Sequence, residues 1–152
     1  MKISEVEIDS MRFVAVKHVG SYDSISTAFE KLCGIMEMLP QGKERKFIAI
    51  YYDDPEKVPV NELRSAACIE VFSGENLSMD GASEVILNPG RYAVYHFVGS
   101  YDGLGKAWKQ FAGELGTRGY KFRDAPAFEM YLSDMETTPP EQLETDLYFA
   151  IA

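Results

Sequence analysis

The chain has 152 residues, enough for one hydrophobic core of ordinary size and short of what two independent domains need. Its 46% hydrophobic and 26% charged residues give a globular balance, and a net charge of -9 opposes binding to nucleic-acid phosphates, which relies on lysine and arginine. Two cysteines outside any CxxC spacing and two widely separated histidines argue against a disulfide framework or a zinc site, so neither metal nor cofactor is expected.

The first segment, Lys2 to Asp9, reads as a strand, and Glu5, Glu7 and Asp9 deny it the basic start and apolar run of a signal peptide. No apolar run is long enough to span a bilayer, so a cytoplasmic location without a membrane partner is expected. Arg12 to Val19 alternates and is rich in valine, a strand signal. Tyr22, Ile25, Ala28, Phe29, Leu32, Cys33 and Met36 then recur at helical spacing, with Ser21 placed to cap the helix and Asp23 in its first turn. Lys46 to Tyr52 and Ala66 to Phe72 read as strands joined through Asp53-Asp54-Pro55 and the Pro59 region.

The pattern then begins again. A leading strand from Ser83 to Asn88 precedes Arg91 to Asp102, which repeats Arg12 to Asp23 at an offset of 79 with Val-Gly-Ser-Tyr-Asp identical. The second helix carries Tyr101, Leu104, Ala107, Trp108, Phe111, Ala112 and Leu115, and Ser100 is its cap. After one inserted residue Tyr51 matches Tyr131, Asp54 matches Asp134, Pro59 matches Pro139 and Leu63 matches Leu143. Strands from Pro126 to Leu132 and from Asp146 to Ile151 complete the second copy. The expected fold is α+β, a pseudo-twofold duplication of a strand-helix-strand-strand unit, with an antiparallel sheet, two helices on one face and a ligand cleft on the other. Residues 1–152 are expected to form a single domain with repeat units at about 1–73 and 82–152.

The copies differ in informative places. Strand alternation, with the apolar residues assigned to the helix side, sends Phe128, Met130 and Leu132 there and leaves Glu129 and Tyr131 on the opposite face. The same division leaves Phe47, Ala49 and Tyr51 away from the first helix, so Glu129 replaces Ala49, and Tyr148 joins that second face near where Cys68 and Glu70 stand in the first copy. Aromatic walls around a carboxylate suit a flat, apolar or cationic molecule, since rings supply dispersion and cation-π attraction and the carboxylate supplies countercharge. The same residues are compatible with Glu129 facing solvent and the tyrosines packing as cross-strand pairs. Trp108 is either core packing or a ligand contact, whereas His18, His96 and the two cysteines read as structural, the cysteines as buried, reduced core residues. Gly99 to Ala107 has the wrong spacing for a phosphate loop and places Ala107 where a hydroxyl residue is required.

The two Val-Gly-Ser-Tyr-Asp units, Tyr51-Tyr-Asp-Asp-Pro55, Ala125-Pro-Ala-Phe-Glu-Met-Tyr-Leu132 and Thr138-Pro-Pro-Glu-Gln-Leu143, in this order, resemble the GyrI-like small-molecule-binding family. That family includes the effector-binding domains of AraC-type bacterial regulators. The resemblance implies paired strand-helix-strand-strand units enclosing a cleft, a cleft glutamate that maps onto Glu129, and an aromatic position near it that maps onto Trp108. Ser21 and Ser100 depart from the proline that many relatives carry before the tyrosine. The expected function is a stand-alone sensing or sequestering domain for lipophilic, aromatic or cationic compounds, without a DNA-binding region, with Phe47, Tyr51, Trp108, Glu129, Tyr131 and Tyr148 lining the site. Two alternatives stand beside it. One is hydrolysis of cyclopropane-bearing xenobiotics, with Glu129 as catalytic base; the other is a protein-binding module resembling gyrase inhibitors, with gyrase as partner.

Overall fold

The structure is a computed structural model that describes residues 1–75 and 81–152, so part of the expected boundary between the copies lies outside the described residues. In chain order the elements are β1 (Ser4–Ile8), β2 (Met11–Val19), α1 (Ser26–Glu37), β3 (Phe47–Tyr51), β4 (Arg64–Glu70), β5 (Ser83–Leu87), β6 (Gly90–Val98), α2 (Leu104–Thr117), β7 (Ala127–Tyr131) and β8 (Glu144–Ala150). The class is α+β and the order of elements is the one the repeat predicts. Strand β4 starts two residues earlier than its apolar pattern suggests, because Arg64 and Ser65 continue the ladder opposite Val19 and His18.

The chain forms two compact units, Asp9–Pro89 and a second made of Met1–Ile8 with Gly90–Ala152. In the first, the antiparallel order is β3-β4-β2-β5; in the second it is β1-β6-β8-β7. Each leading strand therefore pairs away from the strand that follows it in sequence: β1 lies along β6, with Glu5 opposite Ala93, and β5 lies along β2, with Val85 opposite Phe13. Periodicity identifies a strand but not its neighbour in the sheet.

One helix covers the strands of each unit. In the first unit Ala28, Leu32 and Ile35 of α1 pack with Leu39 on Val14, Val16, Ala67, Ile69 and Val71. In the second, Leu104, Ala107, Phe111 and Leu115 of α2 pack on Ala93, Leu147 and Ile151. Full burial of side chains such as Phe111 and Leu115 contributes roughly 1.5–3 kcal/mol each. The expected caps form one turn ahead of the α-helices: Ser21 Oγ accepts the Asp23 N–H at 3.2 Å and Ser100 Oγ the Asp102 N–H at 3.3 Å, each closing a short 3-10 turn that leads into the helix.

Two expectations are corrected. Glu129 stands opposite Leu147 and Ala49 opposite Ala67, and both partners lie beneath the helices. Phe47, Ala49 and Tyr51, like Ala127, Glu129 and Tyr131, thus belong to the helix side, and Phe128, Met130, Ile48 and Ile50 to the other. The apolar residues gave the wrong phase because both faces are buried here: Phe128 is 0% and Glu129 1% exposed. Cys33, expected in the core, is exposed, since it follows Leu32 on α1 and is turned away from the buried stripe; Cys68 is buried as expected.

Candidate functional site

The helix side of the second unit gathers the residues of most chemical interest. On α2 the buried stripe runs Leu104, Ala107, Phe111, Leu115, so Trp108, next to Ala107 and one turn after Leu104, sits on the stripe's shoulder. Strand β7 sends Glu129 toward it from the sheet. The Trp108 indole Nε1 donates to Glu129 Oε1 at 2.9 Å. A carboxylate that is 1% exposed is expensive to remove from water, and a donor held on a packed helix offsets part of that expense.

Rings surround the pair. Trp108 meets Phe149 edge-on, with centroids 5.1 Å apart, and Phe149 in turn lies 5.2 Å from Phe111. Tyr131, two residues along β7 on the same face, is 5.5 Å from Tyr101 at the entrance to α2. The Tyr101 phenol is pushed above its ordinary range by burial and, after that, by the negative charge of Glu129. The result is a buried carboxyl group within an aromatic cluster, an arrangement suited to a desolvated cation or a flat apolar molecule.

The other copy has neither member of the hydrogen bond. Phe29 occupies the place of Trp108 and Ala49 that of Glu129, and both lie on the helix side of their own unit. The donor and the acceptor differ together between the copies.

Of the residues expected to line a site, the structure brings Trp108, Glu129 and Tyr131 to one face of one unit. Tyr148 is on the opposite face, stacked on Phe128 at 4.3 Å and 9°, with its phenol pushed up to about 12 by burial and by Asp146. Phe47 and Tyr51 belong to the other unit. Phe47 packs against the α1 core and borders a cavity of about 210 Å³ with Met36, Lys43 and Arg45, while Tyr51 lies 4.6 Å from Tyr22. Sequence reasoning passed over Tyr101 and Phe149, which read as ordinary core positions. Their only signal is proximity to Glu129, which alternation alone assigned to the wrong face.

The histidines make local bonds. His18 Nε2 is 3.0 Å from the Ser21 carbonyl, and His96 sits between Asp146 at 2.6 Å and Glu144 at 3.0 Å, which hold its pKa above the ordinary range. Among the described residues no group of three or more His, Cys, Asp or Glu side chains is arranged so that it could hold a metal ion.

A family model described as the GyrI-like small molecule binding domain matches residues 1–152. This chain belongs to that family. A relative called DNA gyrase inhibitor from Yersinia enterocolitica is 27% identical over 139 residues, covering 88% of each chain. The solved structure of the EcmrR C-terminal domain superposes on this GyrI-like domain with a TM-score of 0.81 at 14% identity, covering 99% of this chain and 97% of that one. SAV2435, solved bound to tetraphenylphosphonium, matches with a TM-score of 0.71 at 13% identity over 100% and 94% of the two chains. At such identities the solved structures establish a shared fold for the GyrI-like chain. Membership of the family makes it a small-molecule-binding domain.

Proposed function

We propose that this chain binds lipophilic cations on the helix side of β7 and serves as a sensing or sequestering domain. Glu129 supplies the countercharge, Trp108 holds the carboxylate in place, and Tyr101, Tyr131 and Phe149 supply ring surface. The observation that carries this reading is the bond between Trp108 and Glu129, a buried carboxyl group set among aromatic rings. The tetraphenylphosphonium complex of SAV2435, a protein of the same fold, supports the choice of probe.

The test is calorimetry with tetraphenylphosphonium and, as a neutral probe of similar shape, triphenylphosphine oxide. Glu129→Gln is expected to weaken the cation by about tenfold or more and the neutral compound by less than about twofold, because only the cation loses a countercharge in a low-dielectric setting. Equal losses for both probes would remove the electrostatic role.

A second reading rests on the relatives called DNA gyrase inhibitor: an acidic domain acting on a protein partner. Co-sedimentation with purified gyrase at low and high salt tests it, and it requires binding that Glu129→Gln leaves intact.

A further inference from the structure

We infer that Tyr101 is a specificity-determining residue of the same site, with a phenol that donates a hydrogen bond to an acceptor oxygen carried by the bound molecule beside its positive centre. This inference rests on the reading of Glu129 as countercharge and adds a second polar requirement to it. The two copies share the Val-Gly-Ser-Tyr-Asp motif without change and use its tyrosine differently.

Tyr22 and Tyr101 occupy identical Val-Gly-Ser-Tyr-Asp sequences, start the same 3-10 turn, and face equivalent strand tyrosines, Tyr51 and Tyr131. Their hydroxyl groups nevertheless do different things. Tyr22 donates to the Asp53 carbonyl at 2.8 Å, lies 3.1 Å from the Arg64 carbonyl, and accepts the Asp53 N–H at 3.1 Å. It is a brace between the helix entrance and the loop after β3. The Tyr101 hydroxyl makes no hydrogen bond among the described residues, although Ser133 and Glu144 carry the equivalent backbone groups.

The neighbours explain why the brace is present in one copy and absent in the other. Asp53 grips Arg64 with both carboxylate oxygens, accepting from Nε at 3.0 Å, from Nη2 at 2.7 Å and from the Arg64 N–H at 2.9 Å. That clamp presents the Asp53 peptide to Tyr22. In the second copy Ser133 and Glu144 replace the pair, and what remains is a single bond from the Glu144 N–H to Ser133 Oγ at 2.9 Å. The Tyr101 ring then stands 5.5 Å from Tyr131, where Tyr22 stands 4.6 Å from Tyr51.

A half-buried hydroxyl released from structural duty carries a penalty unless something bonds to it. Tyr101 belongs to the cluster that contains Trp108 and Phe149, and it feels the Glu129 charge. Burial and that charge both keep the phenol protonated, so at neutral pH it is a donor. The copy that holds the Trp108 and Glu129 pair is also the copy whose tyrosine hydroxyl lacks the brace. A ligand that meets both groups has a cationic centre for Glu129 and an ether, carbonyl or similar oxygen near it for Tyr101.

Two isosteric probes isolate the hydroxyl: propyltriphenylphosphonium, which has no acceptor, and methoxymethyltriphenylphosphonium, which places an ether oxygen next to the carbon on phosphorus. Calorimetry on the wild type, Tyr101→Phe and Tyr22→Phe gives the ratio of the two dissociation constants for each. Tyr101→Phe is expected to shift that ratio by about three- to tenfold against the methoxymethyl probe, leave the propyl probe within about twofold, and leave the urea midpoint unchanged. Tyr22→Phe is expected to lower the urea midpoint and leave the ratio unchanged. An unaltered ratio in Tyr101→Phe, or a fall in its midpoint as large as that of Tyr22→Phe, overturns the inference while the Glu129 reading stands. Failure of the wild type to bind either phosphonium removes the Glu129 reading, and this inference with it.

Discussion

Trp108 and Glu129 are joined at 2.9 Å, from the shoulder of α2 to the centre of β7, and the equivalent residues of the other copy, Phe29 and Ala49, can form no such bond. Within a duplicated fold this is a place where one copy holds a hydrogen-bonded carboxyl group in its interior and the other holds apolar side chains.

Trp108→Phe removes the indole donor from a carboxylate that is 1% exposed and is expected to lower the unfolding free energy by about 1–3 kcal/mol. Adding Glu129→Leu is expected to recover part of that loss, since an apolar side chain no longer needs the donor. Urea denaturation of the three proteins measures both steps. Trp108 is the chain's single tryptophan, so its fluorescence also reports any molecule that enters beside it.

Glu75 provides a pH prediction in the other unit. Arg45 grips it through Nη1 at 2.7 Å and Nη2 at 2.5 Å, the Phe72 N–H donates at 2.7 Å, and Lys43 lies 3.3 Å away. These donors, the Arg45 bonds first, hold the carboxyl at about 2, below its ordinary 4.5. A depressed folded value means that the ionised form favours the native state: the contribution is complete above about pH 4.5 and is lost as pH falls toward about 2. The difference in urea midpoint between wild type and Glu75→Gln is therefore expected to be constant near neutrality and to shrink across that window.

Cysteine reactivity separates the two thiols. Cys33 is exposed, whereas Cys68 is buried and its thiol is pushed up to about 12 by desolvation. Ellman's reagent is expected to modify one thiol per native chain promptly and the second only after unfolding; Cys33→Ser should abolish the prompt phase.

Gly90 opens β6 at φ +136°, and a Cβ there would lie 2.8 Å from Nη2 of Arg123. That guanidinium donates to the Arg91 and Ile151 carbonyls at 3.2 and 3.3 Å and covers the Tyr92 ring at 5.0 Å. Gly90→Ala is expected to destabilise by about 1–3 kcal/mol through backbone strain and displacement of Arg123. Gly113→Ala, on the exposed side of α2 with nothing within 4 Å of the new Cβ, is expected to stabilise by about 0.5–1 kcal/mol, a control measured in the same denaturation series.

The sequence by itself determined the duplication, the order of strands and helices, and the identity of Trp108 and Glu129 as the positions where the copies part. Those features are local: periodicity, caps and turn residues act within a few neighbours, and a repeat is visible wherever it is written twice. Tertiary structure decided which face of β7 meets α2, because Phe128 and Glu129 are both buried and hydrophobicity does not set the phase of a strand covered on both sides. It also decided that Tyr148 lies with Phe128 on the face opposite Glu129, that β1 and β5 pair away from the strands that follow them, and that the Tyr22 hydroxyl is bonded where the Tyr101 hydroxyl is not. Each of these depends on contacts between residues far apart in the chain, and alternation records a side chain's parity without naming what lies opposite.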